Sequence, residues 1–326
     1  MKKILALLLA LWIPAAVLSG CAPQDDSAAS NKLNIVTTIF PAYDWVREIL
    51  GDETDRAEIT TLLDSGVDLH SYQPTVDDIV KISDCDLFLY VGGESDGWVE
   101  DALKNAPNKD RKVIRLLDVL GDSAKAEETV EGMQEEEHDQ EEEAEYDEHI
   151  WLSLKNAQVL VAAISEALQE TDPARKDTYA ANAATYAEKL SALDGEYRAA
   201  VDSGKYKTLL FGDRFPFRYL ADDYGLDYYA AFPGCSAETE ASFETVSFLA
   251  GKMDALGLPC VLTIEGTQHK IAETIVQNTA QKNQQVLTMD SMQAVTANDA
   301  ASGVSYLSIM EKNLSVLKKA LGQEAE

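Results

Sequence analysis

The sequence predicts an α/β fold of two lobes, each a mostly parallel sheet flanked by helices, joined by a long rigid helix, with the binding site in the cleft between the lobes. Three observations carry this expectation. Short apolar runs alternate with longer helical patterns in both halves of the chain, as βαβ units require. Between the halves, Tyr179, Ala183, Tyr186, Leu190, Leu193 and Tyr197 recur at three- or four-residue steps, so one helix carries an apolar face over its whole length. At 326 residues the chain also exceeds what a single core usually holds, which points to about two domains.

In the first half, strands are expected over 33–37, 57–63, 86–91 and 113–117, with helices over 43–50, 76–82 and 98–106. The alternation breaks at 127–148. Ten of the fifteen residues 134–148 are Asp or Glu, and repulsion at that density predicts a solvated acidic loop without fixed structure, containing His138. Such a run either gathers cations weakly or keeps the surface soluble. A helix over 156–169 follows. Thr171-Asp172-Pro173 then reads as the cap and first-turn proline of the linking helix. The second half resumes the pattern, with strands over 207–211, 226–231, 260–264 and 285–289 and helices over 217–224, 242–256, 270–282 and 304–321. The lobes are therefore 33–170 and 204–326, with 171–203 between them. Ligands of such folds sit where the strand ends of the two lobes face each other.

Composition excludes one class of partner. With 27 Lys and Arg against 57 Asp and Glu, the net charge of −30 disfavours nucleic acid, whose binding draws on clustered cations. The N-terminus is informative in another way. Met1-Lys2-Lys3 precedes an apolar stretch over 4–17 that is too short for a span of about 20 residues, and it reads as an export signal over 1–20. Leu18-Ser19-Gly20-Cys21 resembles the lipobox of bacterial lipoproteins, which implies lipidation at Cys21 and a flexible tether over 21–32. The expected location is extracytoplasmic, lipid-anchored to the outer face of a Gram-positive cell membrane, with a periplasm as the alternative. Of the remaining cysteines, Cys85 and Cys260 adjoin apolar runs and are expected to be buried structural thiols, while Cys235 lies in the turn Phe232-Pro233-Gly234-Cys235-Ser236.

Histidine is scarce: His70, His138, His149 and His269 are all there are. His70 lies in Asp68-Leu69-His70-Ser71-Tyr72-Gln73-Pro74, just past a strand end, and His149 opens a helix in His149-Ile150-Trp151-Leu152. His269 is expected to be an exposed turn residue. The first two segments resemble the Asp-Pro-His-x-Tyr-Glu-Pro and His-x-Trp-Leu motifs of the zinc- and manganese-binding solute-binding lipoproteins of ABC importers. Phe40-Pro41-Ala42-Tyr43, Ile264-Glu265, Ile271-Ala272-Glu273-Thr274-Ile275 and Leu287-Thr288-Met289-Asp290 keep that family's order, so the resemblance covers about residues 33 to 321. It implies a metal site in the interlobe cleft, with His70, His149 and Asp290 as ligands. It also implies zinc as the cargo, with manganese as the alternative, and as partners an ABC permease and its ATPase, with the receptor a monomer. Neutral imidazoles plus a carboxylate form a borderline-soft set that suits zinc.

The chain departs from the family at the third ligand. Members carry a His or a Glu five residues before a Tyr, where this chain has Arg214 before Tyr219, and a guanidinium stays protonated and cannot ligate. Three substitutes stand open: Asp213 next door, Cys235 in its turn, or a water held between Asp290 and an acid such as Glu240. The shift to Asp213 needs the least rearrangement. Arg214 could instead pair with an acid, and Glu265 is a further carboxylate close by in the sequence pattern. An enzyme is not expected, since there is no phosphate-cradling Gly-rich motif and no nucleophile elbow. A metal-dependent hydrolase and an adhesin are the less favoured alternatives.

Overall fold

The structure is a computed structural model that describes residues 32–104, 106–134, 145–236, 240–266 and 269–323. The export signal, Cys21, the tether up to residue 31 and His138 lie outside the described residues. Among the described residues, no helix is long and apolar enough to cross a membrane.

In the first lobe, β1 (Leu33–Thr37), α1 (Phe40–Leu50), β2 (Ala57–Thr61), α2 (Val76–Asp84), β3 (Leu87–Tyr90), α3 (Val99–Lys104), β4 (Lys112–Arg115) and α4 (Leu116–Leu120) follow in order. Next come α5 (Leu154–Thr171) and the 28-residue α6 (Lys176–Ser203). The second lobe holds β5 (Thr208–Arg214), α7 (Arg218–Tyr224), β6 (Asp227–Phe232), α8 (Phe243–Leu256), β7 (Cys260–Thr263), α9 (Lys270–Asn278), β8 (Gln285–Thr288), α10 (Ala297–Ala301) and α11 (Tyr306–Ala320). The two sheets have the same topology, β2-β1-β3-β4 and β6-β5-β7-β8, and every pairing is parallel. Parallel strands under helices are covered on both faces, which is why β3 (Leu-Phe-Leu-Tyr) and β7 (Cys-Val-Leu-Thr) read as continuous apolar runs.

Helix starts follow local chemistry. Thr75 and Asp78 form a reciprocal capping box at α2, while Ser153 and Ser242 cap α5 and α8 through their hydroxyls. The six-residue stripe on α6 is buried throughout, and α6 packs on α5, α1 and α11. Tyr197 Oη donates to Met310 O of α11 at 2.6 Å, and Asn182 Nδ2 donates to Ile49 O of α1 at 2.9 Å. One continuous apolar cluster results. It runs from Ile35 and Phe88 of the first sheet through α6 to Phe211, Leu262 and Met289 of the second.

Three expectations change. The run 113–117 was to be one strand, but the chain turns helical at Leu116, where Leu116, Leu117 and Leu120 bury together. The acidic stretch is not a loose loop in its described parts. Glu127 N donates to Glu145 O at 2.7 Å, Asp147 N donates to Lys125 O at 2.9 Å, and Gln134 N reaches Ala231 O of β6 at 2.9 Å. Backbone pairing and contact with the second lobe overcome the repulsion, and Asp147 and Glu148 are buried. His269 is half-buried at the start of α9 rather than exposed. Cys85 and Cys260 are buried free thiols, as expected.

Leu190 on the α6 stripe is fully buried. Leu190→Ala should cost about 2–5 kcal/mol in urea unfolding, whereas Glu188→Ala on the exposed face should stay within about 0.5 kcal/mol. Equal effects would deny α6 its role as the shared core element.

Candidate metal centre

The site lies at the C-terminal ends of both sheets, where connecting segments leave the strands. After β2, Asp68 caps a short 3-10 turn, Leu69–Ser71: its Oδ1 accepts from His70 N at 3.0 Å, and Leu69 is buried beneath. The turn presents the His70 ring with Nδ1 2.9 Å from Ser95 Oγ and 3.5 Å from Glu148 Oε2. His149 sits at the head of the turn Ile150–Leu152, and Asp147 Oδ1 accepts from both His149 N (2.9 Å) and Nδ1 (3.0 Å). A carboxylate on Nδ1 places the proton there and leaves the Nε2 lone pair free. Trp151 locks this motif to the second lobe, its Nε1 donating to Ser291 O at 2.8 Å and its carbonyl accepting from Tyr306 Oη at 2.7 Å.

The two rings meet through Nε2 atoms 3.2 Å apart. With metal–nitrogen distances of about 2.0–2.1 Å, the edge of a tetrahedral site is about 3.3 Å. The pair is therefore spaced for one cation. Burial, then the neighbouring His149, pushes the His70 pKa down to about 3, so its ring is held neutral, the form a metal needs. Glu148 Oε1 accepts from Ser95 N at 2.9 Å, whereas its buried Oε2 has no hydrogen-bond donor. Moving the His70 proton from Nε2 to Nδ1 would free the second lone pair and point a donor at that oxygen. Gly93 makes the packing possible, since a Cβ there would meet Glu148 Oε1 at 2.0 Å.

Cys235, after β6, completes a cluster with the imidazoles: His70, His149 and Cys235 offer ligand atoms all within 4.8 Å of one another, and among the described residues no other such group of three occurs. Cys235 N donates to Glu127 Oε1 at 2.7 Å. Burial, then the charges of Asp147 and Glu127, raise its thiol pKa well above the usual value. Gly234 lets this turn close on His149; a Cβ there would sit 2.8 Å from Phe215 O and 3.3 Å from the ring.

The carboxylates expected as ligands fall outside that group of three and have hydrogen-bond partners of their own. Asp290 shares no such cluster with the two imidazoles. Its Oδ1 accepts from Met292 N at 2.8 Å, and burial, then the charge of Glu265, raise its pKa to about 6. The left-handed backbone at Met292, φ 66°, is stabilised by that bond. Asp213 likewise stands apart, its two oxygens taken by Arg214 N (2.9 Å) and Ile264 N (3.4 Å), and burial raises its pKa. Glu265 holds the segment after β8, accepting from Ser291 N and Oγ (2.6 and 2.7 Å) and Gln293 N (3.0 Å). Glu240 is exposed, its carbonyl 3.5 Å from Gln134 Nε2. Arg214 pairs with Asp68, as one sequence alternative held, and its Nη1 donates to Ser236 O at 3.4 Å. Burial alone would raise the Asp68 carboxyl, but the Arg214 guanidinium holds it below the usual range.

Comparison with known proteins now places the chain. Residues 35–320 match the family described as ZnuA, zinc-uptake complex component A, periplasmic. The chain belongs to this family. It is 33% identical over 329 residues to the zinc-binding lipoprotein AdcA of Streptococcus pneumoniae serotype 4, a match that covers 99% of this chain and 62% of AdcA. It is 28% identical over 297 residues to the high-affinity zinc uptake system protein ZnuA of Bacillus subtilis, covering 89% and 88% of the two chains. The crystal structure of the Zn(II)-bound ZnuA-like domain of S. pneumoniae AdcA superposes with a TM-score of 0.70 at 30% identity, over 90% of this chain and 100% of that one. The chain thus spans less than two thirds of the AdcA sequences it matches. The two-lobed ZnuA fold is the one predicted.

In metal-free protein, His70 stays neutral down to about pH 3 when folded but protonates near 6.5 when unfolded. The unfolded state therefore binds more protons across that window, and stability should be full above pH 6.5 and fall as pH drops toward 3. His70→Gln should flatten this slope in urea titrations at stepped pH; an unchanged slope would assign it to other groups.

Proposed function

We propose that this chain is the extracytoplasmic receptor of an ABC importer, capturing zinc between its lobes and handing it to a membrane permease driven by an ATPase. The single observation that carries this is the His70–His149 pair, two imidazoles set 3.2 Å apart through nitrogen and held from behind by carboxylates, inside a fold shared with zinc-bound relatives. Capture and release need no covalent step, and the family is one of substrate-binding receptors rather than enzymes. Lipid anchoring at Cys21 fits this role, and the S. pneumoniae relative AdcA is itself a zinc-binding lipoprotein.

The geometry supports the following roles within the proposed site. His70 and His149 supply neutral nitrogens. Asp147 fixes the His149 tautomer, and Glu148 with Ser95 orients His70. Asp68 sets the turn that carries His70. Such supporting carboxylates raise ligand basicity, and their loss typically costs about 10–100-fold in metal affinity.

Equilibrium dialysis against buffered zinc tests the assignment. His70→Ala and His149→Ala should each weaken binding by more than about 100-fold, and Asp147→Asn by about 10–100-fold. Unchanged zinc stoichiometry and affinity in both histidine variants would remove the proposal.

A further inference from the structure

Resting on the receptor function just proposed, we propose that the Cys235 thiolate is the third protein ligand, making a His2Cys site that takes zinc and disfavours manganese. The first support is position: Cys235 is the residue whose ligand atom lies within 4.8 Å of a ring nitrogen of both His70 and His149, whereas Asp213 and Asp290 share no such group with them. A tetrahedral zinc with sulfur at about 2.3 Å and nitrogen at about 2.0–2.1 Å needs sulfur–nitrogen edges of about 3.6 Å, a small adjustment inside that envelope. The second support is that the Cys235 turn is built to this place. Gly234 admits the close approach to His149, and Glu127 fixes the Cys235 amide. Arg214 then bridges from Ser236 O to Asp68, so a side chain that cannot ligate ties the turn bearing Cys235 to the turn bearing His70.

Chemistry sets the cargo. A thiolate with two imidazoles is a soft-to-borderline set that suits zinc, while manganese prefers oxygen ligands. Three protein ligands leave one tetrahedral position open, which suits an ion that must leave again.

The test uses the full-length chain loaded with cobalt(II) as a coloured stand-in for zinc, and zinc and manganese themselves in dialysis. Wild type should show tetrahedral cobalt bands together with a near-ultraviolet thiolate-to-cobalt band. Cys235→Ser should lose the thiolate band, bind zinc at least about tenfold more weakly, and narrow the preference for zinc over manganese. On unaltered protein, zinc should block alkylation of Cys235, read by peptide mass spectrometry, which makes the test independent of how the variant folds. A wild-type cobalt spectrum without the thiolate band, or free alkylation of zinc-loaded Cys235, would overturn the thiolate ligand while leaving the receptor function standing. Failure of wild type to bind zinc or cobalt at all would overturn both.

Discussion

His70 and His149 approach through nitrogen to 3.2 Å, with no part of His149 exposed. Two imidazolium charges cannot share that space, because Coulomb repulsion in a poorly solvated pocket far exceeds what any side-chain packing supplies. The folded chain therefore cannot charge both rings at once, and His70 is the one held neutral. Much of the surrounding architecture enforces this: Asp147 behind one ring, Ser95 and Glu148 behind the other, and glycines at 93 and 234 where a Cβ would push a wall out of place. Ring nitrogens backed by carboxylates one layer out are also what a divalent cation needs from its surroundings.

Much of this was legible in the sequence. Both sheets, their parallel sense and the apolar face of α6 follow from periodicity, since covered strands and long helices leave strong apolar patterns. Boundaries were less legible. Leu116 and Leu117 read as the end of a strand because an apolar run has no period of its own, and only the tertiary setting makes them the start of α4. Asp147 and Glu148 were hidden inside a run of like charge. Composition predicts repulsion, but it cannot show that two of these acids turn inward against the site.

The imidazole pair was visible through its motifs, whereas the third member of the cluster was only one of three open substitutes. A carboxylate after β8 looks like a ligand in sequence, and the fold adds that Asp290 Oδ1 accepts from Met292 N in the left-handed turn there. Cys235 lies 86 positions beyond His149 with no fixed spacing to it, and its approach depends on a β6 turn that only the folded lobe creates. Arg214 was legible as a non-ligand, but not as the strut between two loops that face each other across lobes.

The apolar cluster that runs unbroken from one sheet through α6 to the other has a mechanical consequence. The described residues from Lys32 onward belong to one compact unit, with no gap in the packing between the two sheets at which a hinge would open. A close-packed seam of this kind yields by sliding of side chains and loops over short distances, not by rotation. If cargo enters and leaves as proposed, the rim segments are the parts that such a seam leaves free to move. A force applied at those loops would reach the imidazoles before it disturbed the spine.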